Sequence, residues 1–353
     1  MTTAAPFAGL SCPAPLTTLD RVQLGHGSGG KMSAALLRER FLPHFANTAL
    51  DALGDGAVVP IVSGRMVLST DTFVVSPLEF PGGNIGSLAV HGTLNDLAMM
   101  GARPLYLTAG FVLEEGLPLD QLDRIVAAMA AAAREAEVPL VTGDTKVVER
   151  GKADGVFINT TGIGLQMPFF APEPAQVRPG DAIIVSGPIG RHGIAIMSAR
   201  EGLAFDTEVH SDSACLYPLV ELLHAALEGD VHAMRDPTRG GVASALNEIA
   251  AQAKVGVVLQ ERELPVPEAV SAACEMLGLD PLYVANEGIF VSFVPAALAE
   301  EAVIALRRHP LGAAARLIGH AVPDHPGMVV MRTASGGTRV VDMLPGDQLP
   351  RIC

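Results

Sequence analysis

Tryptophan is absent from the 353 residues and tyrosine occurs three times, so the cores must be built from Ala, Val, Leu and Ile around a few phenylalanines. Basic residues are also scarce. Lys and Arg total 24 against 38 Asp and Glu, a net charge of −14, which excludes nucleic acid as a partner because phosphate backbones require a basic face. A phosphorylated ligand would have to be held by local groups, or by metal ions bridging acidic side chains to phosphates. The four cysteines, at 12, 215, 274 and 353, have no paired spacing, which excludes a zinc motif or a disulfide framework and points to a reducing compartment. No apolar run approaches the roughly 20 residues of a membrane span. The opening Met1-Thr2-Thr3-Ala4-Ala5-Pro6 lacks the basic and apolar regions of a signal peptide, so a cytoplasmic location is expected, with no membrane partner. What is present is 49% hydrophobic residue content, enough for two ordinary globular domains.

Strands and helices alternate along the first half. Gly25-His26-Gly27-Ser28-Gly29-Gly30-Lys31 precedes a helical run through Arg40; glycines there allow close backbone approach to a ligand, but the spacing is not a Walker A loop, and a plain turn fits as well. Strands are expected over Ala57 to Ile61 and Met66 to Thr70, a helix capped by Asn84 through Met100, and a strand over Tyr106 to Leu113. Asp120 and Asp123 read as a capping pair for an amphipathic helix. Pro139 to Val141 should run into a turn at Gly143-Asp144-Thr145-Lys146, with a further strand at Phe157 to Ile163. Prolines at 168, 172, 174 and 179 mark a linker. Beyond it, strand Ala182 to Ser186, helices to Arg200 and over Leu216 to Leu227, and a helix opened by Asp236-Pro237 are expected. Strands at Val255 to Leu259 and Ile289 to Val294, a helix over Glu300 to Arg308, and strands at Arg316 to Ile318 and Arg339 to Met343 complete the chain.

The polar residues at element ends carry the chemistry. Asp55, Asp71, Asp96, Asp144, Asp236 and Glu287 sit at strand and loop ends of an apolar chain, as ligands of a hard cation do; each alone also fits a cap or turn. Only four lysines occur, against twenty arginines, and Lys31 and Lys146 both fall in the glycine or threonine turns, where a compact charge suits phosphate contact or proton transfer. Arg239, beside Gly240 and Gly241, adds a bidentate phosphate ligand. At the C-terminus, Pro345 and Pro350 keep Gly346 to Cys353 out of helix and central strand. An extended, mobile arm follows, on which Ile352 is an apolar plug seating the thiol and Arg351 pairs with a carboxylate at the mouth.

The stretches His26 to Lys31, Ser69-Thr70-Asp71, Pro81-Gly82-Gly83, Gly92 to Leu97, Phe111 to Pro118, Gly143 to Val148, Asp236 to Gly241, Ala285-Asn286-Glu287-Gly288 and Leu349-Pro350-Arg351-Ile352-Cys353 closely resemble the HypE family. These are hydrogenase maturation factors of the aminoimidazole ribonucleotide synthetase-like, or PurM-like, superfamily. The resemblance runs from about residue 21 to the end and is most specific in the last pentapeptide. It implies an α/β fold of two PurM-like domains, with mixed sheets flanked by helices and N-domain sheets pairing across a homodimer. It implies ATP and Mg²⁺, with Asp55, Asp71, Asp96 and Asp236 as metal ligands. Gly27, Gly29, Gly30, Lys31, Asn95, Asp144, Thr145, Arg239 and Gly240 would form the nucleotide site. Cys353 would be carbamoylated by HypF and dehydrated to a thiocyanate, Lys146 and Glu287 handling the nitrogen proton, with a HypC–HypD complex as cyanide acceptor. Gly56, Asn84 and Arg191 stand where similar sequences often have Asp.

The domains are expected at 1–45, an extension with the glycine loop; 46–165, the ATP-binding and dimerisation domain; 166–342, an α/β domain; and 343–353, the mobile tail. Two rival functions fit the same residues. One is a PurM-like kinase or synthetase acting on a free small molecule. The other is a non-catalytic metallocentre-assembly scaffold whose terminal thiolate holds a metal. A homodimer through residues 50 to 165 is expected from apolar strand faces at Val58, Val67 and Leu107.

Overall fold

The computed structural model describes residues 20–28, 30–51, 56–60, 63–202, 209–343 and 351–353. Three short helices come first, α1 (Lys31–Leu36), α2 (Leu42–Phe45) and α3 (Thr48–Asp51). The first sheet follows: β1 (Met66–Phe73), a small hairpin of β2 (Glu79–Phe80) and β3 (Gly83–Asn84), helix α4 (Ile85–Met99), β4 (Ala102–Glu114), α5 (Leu119–Glu135), β5 (Leu140–Val148) and β6 (Val156–Gln166). Its strand order is β1-β6-β4-β5, with β4 and β5 parallel and the other neighbours antiparallel.

Strand alternation sends successive side chains to opposite faces, and here only one face is covered by helix. Phe73, Leu107, Phe111, Leu113 and Ile158 bury themselves under α4 and α5. The other face stays open, with Met66 64% and Leu68 59% exposed. Leu107 is therefore core and Val67 packs against that core, contrary to the expected exposed patch; Val58 alone of that trio is exposed.

Asn84 caps α4 as expected, its side-chain oxygen accepting from the backbone of Gly86 and Ser87 at 2.9 and 3.2 Å. The helix is apolar nearly all round because both its sides are covered. It packs on the first sheet and α5, and its last turn, Ala98 and Met99, joins the core of the second half.

That half contains β7 (Ala182–Val185), α6 (Arg191–Glu201), α7 (Tyr217–Ala226), β8 (Ala233–Arg235), α8 (Gly241–Ala253), β9 (Gly256–Gln260), α9 (Glu268–Leu277), β10 (Val291–Val294), α10 (Ala299–Leu306), β11 (Arg316–Val322), β12 (Val329–Arg332) and β13 (Thr338–Val340). The sheet order is β13-β12-β9-β11-β7-β10-β8. Helix covers both faces: Ile183 and Val185 meet α8, while Ala182 and Ile184 meet α7 and α10. The strands read as continuous apolar runs for that reason.

Several expected elements differ. Residues 57–60 form no strand. Gly143 to Lys146 continue β5 rather than turning. Pro118 precedes α5, and the two aspartates form ion pairs instead, Asp120 with Arg124 at 3.0 Å and Asp123 with Arg40. The helix after Asp236 begins only at Gly241, because Gly240 and Gly241 hold φ of +73° and +60°, a left-handed break that leaves Asp236 in a loop. The short strands β8 and β12 and the helix α9 add to the elements expected from sequence.

Candidate active site

Five acidic side chains from different elements face a common region. Ser69 and Asp71 lie two residues apart on β1 and so share its helix-covered face. Ser69 donates to Asp96 of α4 at 2.6 Å. Burial raises the Asp96 carboxyl, and the Asp71 charge adds to the shift, while Ser69, Arg235 and Arg239 oppose it. Burial first, then the Asp96 charge, raises Asp236. Glu287 is 2% exposed. Its carboxyl is pushed well above the usual range by burial and then by the charges of Asp236, Asp212, Asp71 and Asp96.

Glu287 is fixed by its backbone. Residues Ser211 to Ala214 form a strap beside it, in which Asp212 accepts from the Glu287 N–H at 3.2 Å and the Ala214 N–H donates to the Glu287 carbonyl at 3.3 Å. Gly288 has to be glycine, since a Cβ there would lie 1.6 Å from the Asp212 carbonyl oxygen. Burial also raises Asp212, to about 6. Neither Oε1 of Glu287 nor Oδ2 of Asp212 has a protein hydrogen-bond partner, although both are buried.

Asn95 ties this strap to α4. Its Nδ2 donates to the carbonyls of Ala214 at 3.0 Å and Glu287 at 3.3 Å, and its Oδ1 accepts from the Leu216 N–H at 2.8 Å. The side chain is fully buried and satisfied by protein, so it shapes the site from behind. It is a positioning amide, where a nucleotide contact was expected.

The end of the chain docks against the same region. Val74 N–H donates to the main-chain oxygen of Cys353 at 3.2 Å, and Ser76 N–H to the carbonyl of Arg351 at 3.2 Å. Ile352 is 2% exposed and joins the core of the first half, while Arg351 pairs with Asp154. The apolar plug and the carboxylate at the mouth thus appear as anticipated, and the last three residues rest in a crevice; residues 344–350 of the expected mobile arm lie outside the described residues. Val74 follows Phe73, whose ring lies beneath Gly92, itself beside Glu287. His192, Arg200 and Ser211, which contact the docked end or its support, carry no motif by which sequence reasoning would have found them.

A second group lies elsewhere. Pairing of Val112 with Lys146 and Gly110 with Asp144 places both charged residues on the open face of the first sheet, and β5 is the edge strand opposite β1. Three strand spacings, about 14 Å, and the sheet itself separate Lys146 from Asp71. Lys146 instead binds Asp144 at 2.7 Å, which holds the Asp144 carboxyl below its ordinary value. The expected Lys146–Glu287 pair does not form within the chain. Gly27, Asp144, Thr145 and Lys146 line a cavity of about 400 Å³ roofed by Phe41, Phe45 and Leu50. Lys31 is exposed at the first residue of α1, following Gly30, and Arg239 is exposed beside Gly240. Asp55 and Gly29 lie outside the described residues.

The donor set at the carboxylate cluster is entirely hard oxygen, with two buried oxygens unpartnered, which fits Mg²⁺. Among the described residues, no three His, Cys, Asp or Glu side chains stand together in metal-ligating geometry. Magnesium is usually held by one or two carboxylates and completed by phosphate and water, so the cluster is suited to a metal arriving with a nucleotide. Replacement of Asn95 by alanine, which strands the Ala214 carbonyl and the Leu216 N–H and leaves the Glu287 carbonyl with the Ala214 N–H alone, should lower unfolding stability by about 2–4 kcal/mol in denaturant melts. ATP affinity by calorimetry, measured below the melting transition, should change by less than threefold.

Residues 53–166 match the family described as AIR synthase related protein, N-terminal domain, and residues 178–331 match its C-terminal domain. The chain is 57% identical over 334 residues to carbamoyl dehydratase HypE of Cupriavidus necator, covering 94% of this chain and 95% of that protein. It is 45% identical to carbamoyl dehydratase HypE of Escherichia coli, over 95% of this chain and 100% of the relative. A crystal structure of the hydrogenase maturation protein HypE in complex with ATP superposes with a TM-score of 0.90 at 51% identity, covering 94% of this chain and 99% of that one. HypE in a HypE–HypF complex superposes at 0.77 with 46% identity, covering 88% and 100%. Thiamine monophosphate kinase of Aquifex aeolicus, 16% identical with a TM-score of 0.58 over 80% of this chain and 91% of that one, shares the fold. With both domain families matched in order and such identity across nearly its whole length, the chain belongs to the HypE family of hydrogenase maturation proteins.

Proposed function

We propose that the chain is an ATP-dependent carbamoyl dehydratase. It converts a carbamoyl group carried on Cys353 into a thiocyanate, the source of the cyanide ligand of a NiFe hydrogenase iron. The observation that carries this reading is the seat of Cys353 on Val74, next to Phe73, whose ring lies near Gly92 on the side of the buried Glu287. The reaction balances as S–C(=O)–NH₂ plus ATP giving S–C≡N, ADP and phosphate. Transfer of the γ-phosphoryl group to the carbamoyl oxygen makes that oxygen part of a phosphate leaving group. The C–O bond then breaks, the nitrogen lone pair closes the triple bond, and both N–H protons depart. Glu287 is the base for this nitrogen, held in place by Asn95 and the strap. Its burial excludes water that would hydrolyse the activated group.

Asp71, Asp96 and Asp236 would hold Mg²⁺, which neutralises triphosphate charge and supplies electrostatic stabilisation to phosphoryl transfer. Arg239 supports the same phosphates, its charge already directed at Asp96. We assign Gly27, Asp144, Thr145 and Lys146 to a nucleotide-facing wall at the 400 Å³ cavity. Asp96→Asn should weaken Mg²⁺-dependent ATP binding about tenfold or more while leaving the melting temperature within a few degrees. Unchanged affinity by calorimetry would remove Asp96 from the site.

The open face of the first sheet, with Met66 and Leu68 exposed beside Ile163 and Leu165, favours a homodimer through this domain. Light scattering at micromolar concentration should give twice the chain mass, and a monomer would count against it. HypF as carbamoyl donor is supported by the HypE–HypF complex of a relative, and a HypC–HypD complex is the proposed acceptor. With a HypF donor system and ATP, the C-terminal peptide should gain a carbamoyl group and then lose one water by mass. Cys353→Ala should keep ATP binding and abolish both changes. Dehydrated adduct on the Cys353→Ala chain would overturn the reading, and ATP turnover on a free small molecule without Cys353 would favour the kinase alternative.

A further inference from the structure

The docked end is gripped by its main chain. Arg200 donates from Nη2 to the carbonyl of Arg351 at 2.8 Å, and from Nη2 and Nε to that of Ser76 at 2.6 and 2.9 Å. His192 Nε2 lies 2.9 Å from the Ile352 carbonyl, and its Nδ1 lies 2.8 Å from Ser211 Oγ. The Ile352 carbonyl can only accept, so Nε2 carries the hydrogen and Nδ1 accepts from the Ser211 hydroxyl. The imidazole is fully buried, with the Phe80 ring edge-on at 5.6 Å. Burial depresses its pKa to about 4, so this neutral tautomer persists at physiological pH. Ser211 Oγ in turn accepts from the Ser213 N–H at 3.1 Å. The strap that orients the imidazole is therefore the strap whose next residues, Asp212 and Ala214, hold the backbone of Glu287.

We propose that His192 is a positioning residue for the carrier: with its tautomer set by Ser211, it grips the last peptide unit and seats the Cys353 sulfur against the Glu287 pocket. This rests on Cys353 being the carrier. The grip is made on main-chain oxygens, the Ile352 side chain and the Arg351 guanidinium, which pairs with Asp154 and donates to the Val74 carbonyl, and none of these groups changes when the sulfur is modified. Thiol, carbamoyl and cyano forms can then occupy one seat, while a single strap keeps substrate and base in register. Arg200 supplies a second grip one peptide earlier.

The test uses the full chain. Alkylation of Cys353 by N-ethylmaleimide is followed by peptide mass, with Cys274 as the internal buried control. His192→Phe keeps a flat aromatic ring, slightly larger, and removes the hydrogen bond; it should speed Cys353 alkylation and slow single-turnover dehydration, each by about tenfold, with ATP affinity unchanged. His192→Gln, whose amide N–H can donate to the same carbonyl, should restore most of both. Ser211→Ala, which frees the tautomer, should move both readouts in the same direction as His192→Phe and serves if that variant does not fold. Equal alkylation in wild type, His192→Phe and Ser211→Ala would overturn the proposal, as would failure of Gln to restore in a chain of unchanged melting temperature. An altered alkylation rate in a protein that never dehydrates a carbamoyl group would leave the grip standing and refute the carrier reading.

Discussion

A carboxyl group removed from water among other carboxyl groups is the constraint on which this architecture depends. Glu287 is buried, its Oε1 has no protein partner, and four further carboxylates act on it. An arrangement of this kind opposes folding and persists only where the surrounding backbone is over-determined. Here the determination comes from several directions. Asn95 fixes the strap and the Glu287 carbonyl from α4, Asp212 takes the Glu287 N–H, and Asn286 next to it accepts from Gly190 at 2.6 Å and donates to Pro237 at 3.0 Å. These amides sacrifice no freedom to a ligand, since each is already satisfied by protein. A divalent cation among these carboxylates would relieve their repulsion.

The same alternation that builds the first sheet divides its functional residues. Ser69 and Asp71 point toward the helices and the second half, whereas Asp144 and Lys146 point to the open face. Resemblance to a family groups these residues by motif, and motifs carry no parity. Register does, because moving one residue along a strand reverses the face. Lys146 and Glu287 were grouped by motif and are separated by parity, so any joint role requires a surface that one chain does not provide.

Legibility in the sequence followed how local each signal was. Asn84 ahead of an apolar run announced α4, because a cap and a 3.6-residue period are both short-range. Ile352 and Arg351 could be read as plug and mouth from hydrophobicity and charge alone. The three residues of β8 and four of β12 were too short to show a period of two. Helix α9 is bounded by Pro267 and Gly278, signals that many turns of this proline- and glycine-rich chain share. Asp236 looked like a helix cap because Asp-Pro usually is one; two glycines at positive φ move the helix start to Gly241 and leave the carboxylate in the site. His192 and Asp212 were beyond reach. Their importance arises from a strap joining parts of the fold that are far apart in the chain, and no local pattern encodes that meeting.

The three described thiols show how carrier chemistry can be restricted without a dedicated activating base. Burial raises the Cys274 thiol to about 11 and raises that of Cys215 as well, and a thiol nucleophile acts as its thiolate. Both are thereby suppressed by the same apolar packing that stabilises the cores. Cys353 is half-buried and packs against the edge of the first core, anchored through its main-chain oxygen and through the Ile352 side chain before it. Leaving the seat requires breaking main-chain hydrogen bonds worth about 1 kcal/mol each, separating Arg351 from Asp154 and withdrawing one isoleucine, worth about 2–3 kcal/mol. Deleting the tail would therefore also uncover the Ile352 seat in the core, so Cys353→Ala isolates the chemistry of the thiol in a way that truncation cannot.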